Sequence, residues 1–366
     1  MKLKTSDNLD RLYGLDVIRA AAIILVVLYH WPRTESQHIF RVITHFGYLG
    51  VDLFFVLSGY LIAGQSMGLM ERGKFHVKSF YIRRFMRTLP SYYLILLISV
   101  FAEGMNHYDW RYLFFLQNIG GIYAFTQSWS LCVEEHFYLF FPLILVFIAK
   151  KNWFRYIPLI TLMILIIEIV VRWFIWSRHR PDLVYNNDVN QGYEVYFKNI
   201  FYPTYTRLDG LAVGAFLAYL KYFKKDFWKK LMMKTHFLLS MGFIILMPVF
   251  YLIYNKTHFF NSVPGYGLIT IAMALIVVSS LSEKSLLQKI KIPGITFISI
   301  LSYSIYLTHG HALDLSYFIG HYYNLDPYGV LQVSIQVCLI LGMASVLYWG
   351  FEKPILKQRD RILQKY

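Results

Sequence analysis

The stretch LDVIRAAAIILVVLYHW, Leu15 to Trp31, decides the class of this protein. A helix crosses a bilayer with about 20 mostly apolar residues, range roughly 17–25. This run reaches that window near the N-terminus, where a signal peptide would also sit. Three features argue against removal. Arg19 interrupts the run, no small-x-small cleavage site follows, and it ends on Trp31-Pro32. It reads as a retained helix.

Working outward, similar runs recur to the end of the chain. Ten candidates appear: Leu15–Trp31, Phe46–Ala63, Leu89–Phe101, Trp129–Ala149, Tyr156–Trp176, Tyr205–Leu220, Phe237–Tyr254, Tyr266–Leu281, Ile295–His309 and Val330–Phe351. Trp110–Asn118 is apolar but too short to cross, which suits an interfacial or re-entrant segment. Charged residues are 16% of the chain, where a soluble protein carries about 25%. The shortage is confined to the apolar runs, so the expected fold class is an all-α integral membrane protein, a bundle of about ten transmembrane helices.

The net charge of +15 would suit a nucleic-acid partner in a soluble chain. Here Lys and Arg cluster in the short loops between apolar runs, which is the signature of membrane topology. With the N-terminus in the cytoplasm, 26 of the 36 basic residues fall inside and nine outside, with Arg19 in the membrane. The ten-span count with both termini cytoplasmic follows from that alternation, and no nucleic-acid partner is expected. Cys132 and Cys338 both lie in apolar runs and offer neither a disulfide framework nor metal spacing. No repeat or Ser/Pro/Gly-rich linker is evident. The longest stretch outside the membrane, Ser177–Thr204, is too short for a catalytic domain. Residues 1–366 are expected to form one transmembrane domain whose chemistry is built from helices and loops.

Ionisable groups inside membrane helices are costly and are functional candidates by default. Arg19 and His30 are 11 residues apart, about three turns plus 20°, so they share a face with about 16 Å between them along the axis. Asp52, Glu134, Glu135, Asp209 and His309 approach His30's outer depth from four other helices. A carboxylate near a histidine can fix its tautomer and raise its basicity, which equips it as a general base toward a hydroxyl. Local pairing competes with this: Arg207–Asp209 and Glu168–Arg172 read as structural pairs. At the inner ends, Arg83, Arg84 and Arg87 lie within Tyr81–Pro90 with no lysine among them. Arg84 and Arg87, three apart, share a face, and guanidinium groups suit phosphate; positive-inside anchoring is the alternative.

These residues lie in blocks that resemble the acyltransferase 3 family. Arg19 followed by ten residues and His30 is similar to its Arg-x10-His signature. Gly50–Tyr60, Tyr81–Pro90, Ser128–Tyr138, Arg207–Gly214, Ile300–His309 and Glu352–Pro354 resemble its later blocks in order, so the likeness covers nearly the whole chain. It implies a multi-pass enzyme of the bacterial cytoplasmic (inner) membrane. That enzyme would move an acyl group, usually acetyl, from cytoplasmic acetyl-CoA to a hydroxyl of a surface polysaccharide or lipopolysaccharide O-antigen sugar, without a metal. By the same resemblance His30 is the catalytic base, Arg19 its partner, and Glu134 or Glu135 supports the site. The resemblance also implies that Arg84 and Arg87 contact coenzyme A phosphates; Arg83 beside them, and Asp52, Trp129, Asp209 and His309 toward the acceptor, are the further candidates among the residues themselves. His136 stands where the family often has Gln. The extra hydrolase-like domain of peptidoglycan-modifying members is not expected here. The competing reading is a transporter or flippase for a lipid-linked sugar or small polar solute, which would need no acyl-CoA and would favour broken helices in repeated halves.

Overall fold

The computed structural model describes residues 12–32, 44–120, 124–180, 189–252 and 256–364. Lys2, Lys4, Arg11, Arg33, Arg41 and Lys365, and both chain ends, lie outside the described residues. Among the described residues all regular structure is helical, the form in which a segment in hydrocarbon satisfies its own backbone groups. In chain order the helices are α1 (Tyr13–His30), α2 (Leu49–Glu71), α3 (Val77–Glu103), α4 (Trp129–Lys150), α5 (Ile157–Arg178) and α6 (Val189–Tyr196). They continue with α7 (Asp209–Phe223), α8 (Lys225–Met233), α9 (Thr235–Leu252), α10 (Gly265–Ser280), α11 (Ile295–Tyr322), α12 (Val330–Leu347) and α13 (Lys353–Leu363), with short turns between them.

Among the described residues six stretches are long and apolar enough to cross a bilayer: Tyr13–His30, Phe46–Glu71, Val77–Glu103, Thr126–Lys150, Phe154–Arg178 and Val330–Leu363. The α8–α9 pair, bent by 78°, makes a seventh if it acts as one span. All ten apolar runs overlap helices. Those outside the six differ for visible reasons: α7 has 15 residues and α10 has 16, while α11 is long but polar. Trp110–Asn118 opens with a 3-10 turn, Trp110–Leu113, and ends on the buried pair Gln117 and Asn118.

Burial runs opposite to that of a soluble protein. On α5 the buried side chains are Ile157, Thr161, Glu168 and Arg172, whereas Leu162, Ile166, Val170 and Phe174 are exposed. Likewise α12 buries Gln332 and Gln336, and α11 buries Ser299, Ser302, Ser304, Thr308 and His309. On these three helices the polar residues face neighbours and much of the apolar surface faces outward, as a lipid solvent requires. The chain is a multi-pass membrane protein.

At the centre, α2 is buried along most of its length and crosses α7 at backbone contact. A Cβ on Gly59 would stand 2.2 Å from the Leu211 carbonyl oxygen, and one on Gly214 would stand 2.2 Å from that of Val56. Small residues let membrane helices approach this closely and gain packing that hydrophobicity cannot supply in lipid. Gly214→Leu is therefore expected to lower stability by about 1–3 kcal/mol or more. Gly64→Ala, whose Cβ would meet only Ala218 Cβ at 3.9 Å, should change it by less than about 0.5 kcal/mol. Thermal unfolding of the detergent-solubilised protein, followed by tryptophan fluorescence, compares the two.

Candidate active site

His30 closes the last turn of α1, and its ring reaches across to α11. Nδ1 of His30 lies 3.0 Å from the Val26 carbonyl oxygen and 3.3 Å from Nε2 of His309. His309 is fully buried, with its Nδ1 at 2.8 Å and 3.1 Å from the carbonyl oxygens of Tyr306 and Ile305. Carbonyls only accept, so in neutral His309 Nδ1 holds the proton and Nε2 accepts. The Nδ1–H of His30 then donates to Val26 and His309, leaving His30 Nε2 with its lone pair. That tautomer is the one a general base needs.

A cavity of ≈ 180 Å³ lies against His30, lined by aromatic side chains that include Tyr29, Tyr48, Trp129, Phe201 and Tyr202. Trp129 is therefore at His30's cavity. Lys256 is buried beside it and donates to the Tyr29 hydroxyl at 3.1 Å while facing the Tyr29, Tyr48 and Phe197 rings.

A second cavity of ≈ 110 Å³ opens deeper in the bundle, lined by Arg19, Arg84, Arg87, Ser58, Glu134 and Tyr138 among others. Arg19 donates to Ser299 Oγ at 3.5 Å, and Ser299 donates to Asp16 at 2.9 Å, which ties α1 to α11. Glu134 accepts from Ser58 at 2.9 Å and Tyr138 at 2.8 Å. Arg84 donates to Gln65 at 2.8 Å, and its Nε is buried with no partner among the described residues. Arg84 and Arg87 share this cavity as their spacing predicts. Arg83 lines a separate small pocket with Phe75, His76 and Phe80, which Arg84 also borders. Glu135 is buried against Thr88 and lines neither cavity.

Val51 and Tyr306 line both cavities. Ser130 donates to the Tyr306 hydroxyl at 2.5 Å, and that hydroxyl donates to the Gln127 carbonyl at 2.7 Å. Tyr306 is thus a fixed septum between the arginine-lined and His30-lined spaces. A search for charged residues passes over Tyr306, Ser58 and Tyr138, although all three lie inside the quoted blocks. The signal that finds them is their position in those blocks, not their type.

Asp52 and Asp209 enter an ion-pair lattice under the His30 cavity. Arg207 donates to Asp52 at 2.6 Å, and Arg172 donates to Asp209 at 3.0 Å, all four buried. Glu168 lies 3.9 Å from Arg172 and accepts from the backbone N–H groups of Leu208 and Asp209 at 2.6 and 3.1 Å. A carboxylate there satisfies donors at the start of α7 and meets the positive end of its dipole. Arg207 and Asp209 thus each take a partner on another helix, because two residues apart they do not face one another. Four rings, Phe55, Trp129, Phe201 and Tyr266, surround the Arg207 guanidinium at 4.3 to 5.9 Å, where cation–π attraction offsets part of the charge's burial.

Among known proteins, the acyltransferase domain profile (Acyl_transf_3) matches residues 12–350. A Staphylococcus aureus strain COL protein, whose name assigns O-acetyltransferase activity by inference, is 30% identical over 379 aligned positions, covering 96% of this chain and 58% of that protein. The O-acetyltransferase OatA of S. aureus strain NCTC 8325 is 27% identical over 394 positions, covering 98% and 60%. The chain therefore spans less than two thirds of the length of these relatives. No solved structure matches it.

Removing one member of a buried ion pair strands the other's charge. Asp52→Ala should lower stability by about 3–5 kcal/mol. Adding Arg207→Met to that variant should restore much of the loss. A double-mutant cycle on unfolding midpoints, read alongside the amount of monodisperse protein, measures the coupling.

Proposed function

Because the chain belongs to the acyltransferase 3 family, we propose that it is a membrane O-acetyltransferase. It moves an acetyl group from cytoplasmic acetyl-CoA to a hydroxyl of a cell-envelope carbohydrate, with residues 1–366 acting as one transmembrane domain. The observation that carries this reading is the pair of cavities meeting at Tyr306. One is cationic, and the other is aromatic with a histidine held in the basic tautomer.

The arginine end faces the cytoplasm in this scheme, which agrees with the excess of Lys and Arg in those loops and with ten spans. Arg84 and Arg87 hold the donor's phosphates as paired guanidinium groups, and Arg83 adds charge nearby. Glu134, held by Ser58 and Tyr138, keeps Arg84 and Arg87 oriented. Arg19 lines the same cavity as Arg84, Arg87 and Tyr306, and in this scheme it stabilises charge developing on the thioester oxygen. The aromatic walls around Trp129 suit the apolar face of a sugar ring.

His30 takes the proton from the acceptor hydroxyl through Nε2 as the new C–O bond forms on the acyl carbon. The C–S bond breaks, and His30 returns the proton to the departing thiolate. His309 is a positioning residue: it accepts from His30 Nδ1 and stabilises the imidazolium formed in passing. Asp52 and Asp209 act through the lattice that holds the cavity wall. Transfer across a septum also suits the hydrogen-bonded Tyr306 better than passage of a solute would.

His30→Ala should lower acetyl transfer to envelope glycan about 10²–10⁴-fold at equal membrane abundance. Arg84→Ala should act chiefly on KM for acetyl-CoA, raising it about tenfold or more. Glycan acetylation by mass spectrometry and transfer kinetics in proteoliposomes read these; normal acetylation in His30→Ala would sink the scheme. Opening the septum with Tyr306→Ala should raise thioester hydrolysis relative to transfer, measured as thiol released per acetyl delivered.

A further inference from the structure

A large apolar space lies outside both cavities. It is a groove of ≈ 530 Å³ walled by α4, α5 and α7. Its lining runs along α4 from His136 to Ile148, about 18 Å at 1.5 Å per residue, more than half of the ≈ 30 Å hydrocarbon core. Phe140 and Ile144 line it and are 57% and 52% exposed, so the groove opens toward the lipid. Among the described residues no carboxylate, lysine or arginine lines it. An ionic headgroup has no counter-charge inside it, whereas a hydrocarbon chain fits.

One end is polar in a directed way. Asn118 Nδ2 donates to Thr204 Oγ1 at 2.9 Å, so the Thr204 proton is free to point to His136 Nδ1, 2.7 Å away. In the arrangement where Thr204 donates, neutral His136 carries its proton on Nε2. That N–H has no partner among the described residues, on a ring that lines the groove. The same Asn118 donates to the Tyr202 carbonyl at 3.1 Å. Tyr202 lines the His30 cavity, while Thr204 and Tyr205 line the groove. The rim Tyr202–Thr204, which Asn118 clamps, thus borders both spaces.

We propose that the groove holds the hydrocarbon anchor of a lipid-linked carbohydrate, the sugar crossing the Tyr202–Thr204 rim into the His30 cavity. The inference rests on the transferase reading and names its acceptor as one presented from within the membrane. The chain lies along Phe140, Ile144 and Ala215, and the first polar group after it accepts from His136 Nε2–H. The anchor confines the sugar near the cavity and so raises its effective concentration there. A bilayer phospholipid would meet the same apolar walls but brings no sugar to the rim.

The test uses the full chain in phospholipid nanodiscs with a hexadecyl glucoside carrying a diazirine in its alkyl chain. Cross-linked peptides are mapped by mass spectrometry. Labelling of α4, α5 and α7, competed by unlabelled hexadecyl glucoside and reduced about tenfold in Ala215→Trp, is expected. The KM for acetyl transfer to hexadecyl glucoside should rise by a similar factor in that variant, with transfer to methyl glucoside unchanged. His136→Phe should weaken labelling, whereas His136→Gln, which keeps an N–H donor, should not. Ile160→Trp repeats the block from another wall should Ala215→Trp fail to fold. Equal labelling by a diazirine phosphatidylglycerol that the glucoside does not displace would overturn the proposal, as would an unchanged KM in both filled variants. Competed labelling without any acetyl transfer would keep the groove assignment and overturn the transferase reading instead.

Discussion

The Arg207–Asp52 ion pair, at 2.6 Å and out of contact with solvent, is the interaction on which the rest of the bundle depends. A charge of this kind is tolerated inside a membrane protein only when paired and enclosed. Its enclosure determines much else. Asp52 belongs to α2 and Arg207 precedes α7, so the pair pins the two central helices at one end. Arg172 and Glu168 extend the lattice to α5 and cap the start of α7. Below it, the glycine contacts at Gly59 and Gly214 set how closely α2 and α7 approach.

The lattice reaches the candidate site through its aromatic shell. Trp129 and Phe201 face the Arg207 guanidinium and also line the cavity at His30. The cavity wall is therefore held from behind by a buried ion pair. A similar division of labour appears at His30. Its tautomer is set by the Val26 carbonyl and by His309, itself fixed by backbone carbonyls on α11. Backbone groups hold position better than flexible carboxylates do, which suits a base that must present one nitrogen reliably.

Glu134 illustrates why depth along a helix is a poor guide to neighbours. It lies little more than a turn into α4, a depth that suggests company with His30. Its side chain instead faces α2, takes hydrogen bonds from Ser58 and Tyr138, and lines the arginine cavity. Glu135, next in sequence, points about 100° away and is buried against Thr88. Arg83 shares a small pocket with Arg84 but does not reach the cavity that Arg84 and Arg87 line. One rotation step on a helix separates a cavity residue from one outside it.

The sequence by itself determined the membrane class, the run of apolar helices, the shared face of Arg84 and Arg87, and the family blocks. These are local properties: hydropathy over about 20 residues, helical phase and contiguous motifs survive without knowledge of the partners. It also singled out His30 as the candidate base. Only the tertiary structure decided that Arg207 pairs with Asp52 and Arg172 with Asp209, that His309 is the ring beside His30, and that Tyr306 divides two cavities. Those pairings join residues up to 279 positions apart, and they depend on how helices rotate and cross. In lipid, hydropathy says that a polar face must turn inward, but only side-chain packing and geometry settle which neighbour it meets.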